Sequence, residues 1–224
     1  LESKTQRLVG RYFEENGVAY VLPDNPRMTH EVVLQGDTQG ATHGQFVEVK
    51  IVSQPNHRSL AVAELTAILG DHLAPGLEID IALRNFDIPH LWPNEVSEQA
   101  ANISPQVTEA DKVGRVDLRN LALVTIDGED AKDFDDAVYA EKRAGGGYRL
   151  VVAIADVSHY VRPDSPLDIE AKHRSTSVYF PGFVVPMLPE VLSNGLCSLK
   201  PNVDRLCMVC DMTISRAGRV TGSQ

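Results

Sequence analysis

The sequence predicts a mainly β protein with some α: a closed OB-type barrel, then a second, incomplete α+β unit. Three observations lead there. Five short apolar runs with turn punctuation occupy roughly the first seventy residues. A stretch rich in Pro, Asn, Ser, Glu and Gln follows Trp92. Alternating apolar runs resume beyond residue 115. The expected organisation is a barrel over 1–92, a linker with at most one polar helical turn over 93–115, and a truncated second domain over 116–224.

The barrel strands are read in order. Leu8-Val9, Val18 to Val21 and Glu31 to Leu34 are short apolar runs separated by Asn16-Gly17 and by Pro23-Asp24-Asn25-Pro26. Val47, Val49 and Ile51 alternate with Glu48 and Lys50, the period of a half-buried strand. Ala61 to Leu65 supplies the fifth run. Leu77 to Leu83 fits either a strand or a helical face, and periodicity alone leaves both open.

In the second unit Leu121–Ile126 and Ala137–Glu141 are expected strands. Gly145-Gly146-Gly147 turns into Tyr148–Ala155, whose Val151 to Ala155 core predicts burial on both faces. Ser165-Pro166-Leu167-Asp168 reads as an N-cap, a Pro at the first helical position and an acid in the first turn, so a helix runs toward Arg174. Leu206, Met208, Cys210, Met212 and Ile214 alternate in a last strand that turns at Arg216 to Arg219. Little chain remains for a returning strand, and Leu1 is not an initiator Met. An excised piece with an incomplete second domain is the expectation.

Composition narrows the class. Hydrophobic residues make up 43% and charged residues 23% of the 224, a globular balance. No apolar stretch approaches the roughly 18 residues that span a bilayer, and no basic-plus-apolar leader is present, so no membrane partner is expected. Three Cys suit a reducing compartment, the cytoplasm. The net charge of −10 weighs against a purely electrostatic nucleic-acid binder. Its distribution is uneven: 7 basic and 15 acidic side chains over 1–110, but 14 and 16 over 111–224. The basic groups of the second half must lie away from its acidic cluster.

That cluster spans Asp127 to Asp136. Six of its ten residues are acids: Asp127, Glu129, Asp130, Asp133, Asp135 and Asp136, with Lys132 alone compensating. Carboxylates held this close raise one another's pKa or require a cation. Hard oxygen ligands in this number select Mg²⁺, Mn²⁺ or Ca²⁺ over Zn²⁺. Such ions serve phosphoryl-transfer sites. Composition alone favours a solvated acidic loop. An EF-hand fails on register, since its Gly and final Glu are misplaced. Phe134 tilts the balance, because an aromatic among acids can pack inward and turn Asp133 and Asp135 outward.

The run Thr125-Ile126-Asp127-Gly-Glu-Asp-Ala-Lys-Asp133-Phe134-Asp135-Asp136-Ala137 resembles the catalytic signature of the ribonuclease II family. Val152 to Ser158, Thr176-Ser-Val-Tyr179-Phe180-Pro181, Pro186-Met-Leu-Pro189 and Leu196-Cys197-Ser198-Leu199 continue the resemblance in order. Residues 5–92 resemble the second cold-shock domain that precedes that catalytic domain. The resemblance implies 3′-to-5′ exoribonuclease activity, processive hydrolysis to 5′-mononucleotides with Mg²⁺, Mn²⁺ being an alternative. It implies that Asp127, Asp133, Asp135 and Asp136 hold the metal, with Asp135 essential, and that Tyr179 stacks on a base. The substrate implied is single-stranded RNA, or structured RNA with a 3′ overhang, bound by a monomer. The family's downstream basic residues are absent from these 224, so the chain by itself is expected to be inactive or nearly so.

Other features carry less. Arg11, Tyr12, Phe13, Tyr20 and Arg27 are the barrel's candidate RNA contacts, weighed against a packing role. Cys207 and Cys210 sit three apart in a strand and point to opposite faces, which suits thiols better than zinc. The seven His do not cluster in sequence. Asp156 is either a support near the metal or a turn-forming Asp. No phosphate-binding Gly loop or nucleophile elbow occurs. The competing functional class is a non-catalytic RNA- or protein-binding module with an incomplete acidic site. An unrelated metal phosphoesterase is the third reading, and the ordered motifs weigh against it.

Overall fold

A computed structural model describes residues 7–71, 74–129 and 131–224, so the sequence expectations for Leu1, His72 and Asp130 lie outside the described residues. The chain forms two compact units, 1–90 and 91–224.

In the first unit, β1 (Arg7–Glu15), β2 (Val18–Pro23), β3 (Val32–Leu34), β4 (Phe46–Ser53) and β5 (Ala61–Gly70) close a barrel in the order β1-β2-β3-β5-β4. All five predicted runs fall on these strands, Glu31 alone lying just outside β3. Asn16 and Gly17 form the two-residue β1–β2 loop with φ of 53° and 78°, the left-handed pair that a tight hairpin needs. Gly10 permits the barrel's close approach, because a Cβ there would strike the Leu22 carbonyl. The barrel is filled by Leu8, Tyr12, Val21, Val32, Val47, Val49, Ala61, Ala63 and Leu65. Leu77–Asn85 is a helix, α1, which seats Leu77 and Ile81 against Val9 and Phe46. Packing of the i, i+4 pair decides what periodicity left open.

The second unit begins with α2 (Asn94–Ala101), and this corrects the expectation of a linker with one helical turn at most. Its Val96 is 2% exposed in a core with Ala155, Leu167, Leu188, Leu192, Leu196 and Cys197. One large apolar residue in a mostly polar octet is a weak signal in sequence, yet Val96 and the Gln99 side chain, which accepts from the Leu167 N–H at 3.0 Å, dock the helix. A four-stranded antiparallel sheet follows, built from β6 (Asp136–Lys142) and β7 (Tyr148–Ala155). After β7 come a single turn α3 (Val157–Tyr160), α4 (Pro166–Arg174) and the hairpin of β8 (Val178–Phe180) with β9 (Phe183–Val185). A π-helical turn spans Val191–Leu196. Strands β10 (Cys207–Ile214) and β11 (Val220–Ser223) complete the sheet order β11-β10-β7-β6. A short returning strand does form after the Arg216 to Arg219 turn, Met212 opposing Ser223.

The Ser165 cap is as read: its hydroxyl accepts from the Asp168 N–H at 3.3 Å. Two strand expectations need correction. Leu121–Ile126 is not a strand, for only Val124 pairs, bridging to Val138. Val124 and Ile126 stay exposed, so their β propensity finds no surface to pack on. Strand β7 is buried on one face only. Val151, Ala153 and Ala155 are buried, while Ile154 on the other face is 47% exposed, as is Met208 opposite it at 63%.

Arg174 ties the start of this unit to α4. Its buried guanidinium meets Glu170 at 2.8 Å, the Pro186 and Leu91 carbonyls at 3.1 and 2.9 Å, and the Trp92 ring face. A buried cation with every nitrogen partnered avoids the penalty of an orphaned charge.

Candidate active site

The acidic loop enters from the Val124–Val138 bridge and leaves into β6. Its backbone is held from behind. The Ser198 hydroxyl, fully buried, donates to the Lys132 carbonyl at 2.8 Å and accepts from the Phe134 N–H at 3.1 Å. The Leu199 N–H donates to the Phe134 carbonyl at 2.8 Å, and the Ala155 N–H to the Asp135 carbonyl at 2.9 Å. One hydroxyl thus grips the peptide groups on both sides of Asp133. Phe134 is half-buried, and Asp135 and Asp136 beside it are exposed. Sequence reasoning assigned the loop's orientation to Phe134 and missed Ser198. The available signal was a lone hydroxyl inside the apolar run Leu196 to Leu199.

The loop's charge is concentrated on Asp135. Burial pushes its carboxyl pKa up, and the negative charges of Asp133, Asp136 and Asp127 push it further. All four predicted carboxylates therefore share one electrostatic field, and the charges that act most on Asp135 are all negative. The neighbouring Cys197 thiol is pushed up to about 12, by burial first and then by Asp135 and Asp156. Tyr179, on β8, donates its hydroxyl to Asp133 Oδ2 at 3.0 Å. Burial and that carboxylate raise the phenol's pKa, so it stays the donor. The Tyr179 residue is nevertheless 65% exposed and its ring is open to a ligand.

Among the described residues no three His, Cys, Asp or Glu side chains already converge on one metal position. The donor set still fits a hard divalent ion. It is all carboxylate oxygen, it carries surplus negative charge, and that surplus adds to burial in raising Asp135.

Asp156 sits apart from the loop's chemistry. It is 5% exposed and accepts from Arg115 Nη2 and Ser158 Oγ, both at 2.7 Å. Burial pushes its pKa up, but those hydrogen bonds outweigh it and hold the carboxyl below its usual range. Arg115 Nη2 also lies 3.3 Å from His159 Nδ1, and His159 Nε2 lies 2.9 Å from Asp111. The four residues fasten the 108–115 segment to the end of β7. Cys207 opposes Ala155 and Cys210 opposes Val152, so the two thiols face opposite sides of the sheet, and both are free.

On the barrel, Phe13 and Tyr20 are a stacked cross-strand pair with centroids 5.6 Å apart, and His43 meets Phe13 edge-on. Arg11 lies 5.0 Å over Phe46, and Arg27 is exposed. Tyr12 corrects the contact list: it is 1% exposed in the barrel core and cannot present its ring to a base. Its neighbours Arg11 and Phe13 point the other way, as strand alternation requires.

Comparison with known proteins matches residues 115–224 to the RNB domain and residues 20–93 to the cold shock domain. The chain is thus similar to the RNB family over just under half of its length. It is 57% identical over 223 residues to Ribonuclease R of Escherichia coli, covering 99% of itself and 27% of that relative. It thus spans about a quarter of that length. The structure of Mycoplasma genitalium RNase R in complex with double-stranded RNA superposes with a TM-score of 0.90 at 32% identity, covering all of this chain and 40% of that one. Yeast Ssd1, described as a pseudonuclease, shares the fold with a TM-score of 0.70 at 19% identity. Among the described residues no helix is long and apolar enough to cross a membrane.

Proposed function

We propose that this chain is the carboxylate-bearing part of a 3′-to-5′ exoribonuclease that hydrolyses RNA processively to 5′-mononucleotides with Mg²⁺, or Mn²⁺ in its place. One observation carries the reading: the negative charges of Asp133, Asp136 and Asp127 bear on Asp135 within a loop whose backbone Ser198 and Leu199 hold. Asp127, Asp133, Asp135 and Asp136 would hold the ion. When bound, it supplies an activated water and charge stabilisation at the leaving oxygen. Ser198 orients the loop, and the Tyr179 hydroxyl steadies Asp133 while its ring stacks on a base of single-stranded RNA or a 3′ overhang. The barrel adds the Phe13–Tyr20 pair as a further stacking surface. The setting we assign is a monomer in the cytoplasm, which suits three free thiols.

The 224 residues alone are expected to trim RNA slowly or not at all. The charges that act most on Asp135 are negative, and a phosphodiester's developing charge needs positive partners as well. A second reading, a non-catalytic RNA- or protein-binding module, is favoured by the lack of three converging ligands among the described residues. The test is gel analysis of 5′-labelled single-stranded RNA with Mg²⁺, using this chain and the full-length protein that carries it. Stepwise 3′ trimming by the full-length protein, abolished by Asp135→Asn, is expected. No Mg²⁺-dependent trimming, or trimming that survives the substitution, refutes the reading. Robust trimming by the 224 residues alone refutes the expected inactivity.

A further inference from the structure

A second charged feature lies at the opposite end of β6 from the carboxylates. Lys142, Arg143, Gly146, Gly147, Tyr148 and Arg216 line an open cavity of about 300 Å³. Two turns build it. The β6–β7 turn passes through Gly146 and Gly147 with φ of 88° and 82°, and the β10–β11 turn brings Arg216 alongside. A Cβ on Gly147 would strike the Ile214 carbonyl, and the Arg216 guanidinium lies directly over Gly146.

Lys142, Arg143 and Arg216 are exposed and make no ion pair among the described residues. The nearest acids in sequence, Glu141 and Asp211, are both taken by Arg149, at 3.4 and 2.6 Å. Three unpaired cations around one cavity repel one another until an anion enters. Tyr148, 46% exposed at the same wall, offers a ring edge or face beside the charges. Cations next to an aromatic suit a nucleotide chain, which carries phosphate and base together. Lys142 and Asp136 also share one face of β6, since they lie an even number of residues apart. The seven-residue strand separates them by about 20 Å.

We propose that this cavity is a second binding site on the chain, taking backbone phosphates of single-stranded RNA at Lys142, Arg143 and Arg216 with a base against Tyr148. The site needs no metal and stands independently of the exoribonuclease reading. It is tested by fluorescence anisotropy of a labelled oligouridylate with the 224-residue chain in EDTA, across a salt series. The double variant R143Q/R216Q should bind roughly tenfold more weakly than wild type at low salt, and its log–log salt slope should be shallower by about 1.4. Y148A should weaken binding several-fold and leave the slope unchanged. The control R58Q/R162Q removes two exposed cations elsewhere and should change neither measure comparably. Equal effects of the two double variants overturn the proposal. So does complete competition by uridine monophosphate, which would make this a lone-phosphate site. RNA binding that is unchanged while polyglutamate binding is lost in R143Q/R216Q also overturns it, in favour of a protein-docking surface. Melting temperatures of the variants, expected to match wild type because all four arginines are exposed, keep misfolding out of the comparison.

Discussion

Removing the Ser198 hydroxyl leaves the Lys132 carbonyl and the Phe134 N–H without their partner. An orphaned buried polar group costs about 1–3 kcal/mol, so S198A should lower stability by that order in denaturant unfolding. The same variant should bind Mn²⁺ more weakly by a factor of roughly ten, because Asp133 loses its backbone reference. Unchanged stability and unchanged affinity would remove Ser198 from the site. Single residues also show how far sequence reaches. The acidic loop was legible because charge density in one loop needs no tertiary knowledge, while the choice of Asp127, Asp133, Asp135 and Asp136 among its six acids came from the family resemblance. Tyr12 was grouped with Arg11 and Phe13 as a candidate contact although strand alternation sets it on the other face, and the structure buries it. Ser198 was not legible, since it acts through backbone atoms some 64 residues away in the chain.

At the scale of elements, what was legible depended on whether a segment has a surface to cover. The five barrel strands and the Ser165-capped α4 carry their own signals, in period-2 apolar alternation and in cap chemistry. Leu121–Ile126 has equal β propensity but, among the described residues, only Val124 pairs, and Val124 and Ile126 stay exposed. In α2 the relation is reversed: a polar segment is held by Val96. Val96→Ala should therefore cost about 1–3 kcal/mol in urea unfolding, where a free linker would lose nothing. The 108–115 segment makes a pH prediction. The Thr108 N–H and hydroxyl, with His159, hold the Asp111 carboxyl at about 2, below its ordinary 3.8. A folded pKa below the unfolded one gives stability that is complete above pH ~4 and lost as pH falls toward 2. Urea midpoints measured across that range should fall with acidification, and D111N should flatten the curve. A D111N curve that parallels wild type would contradict the assignment.

For the whole molecule, a net charge of −10 conceals a separation of sign. Over residues 111–224 a near-neutral total resolves into a carboxylate loop at one end of β6 and unpaired cations at the other. Sequence showed that the basic groups had to lie apart from the acids. It could not show where, because two turns more than sixty residues apart in the chain build the basic cavity together. The central claim is that the carboxylate loop binds a hard divalent ion through Asp135 and its neighbours. Calorimetric titration of Mn²⁺ into the 224-residue chain and its Asp135→Asn variant tests this most directly. Saturable binding that weakens roughly tenfold or more in the variant is the expected result. Identical binding by the two proteins, or none by either, would contradict it.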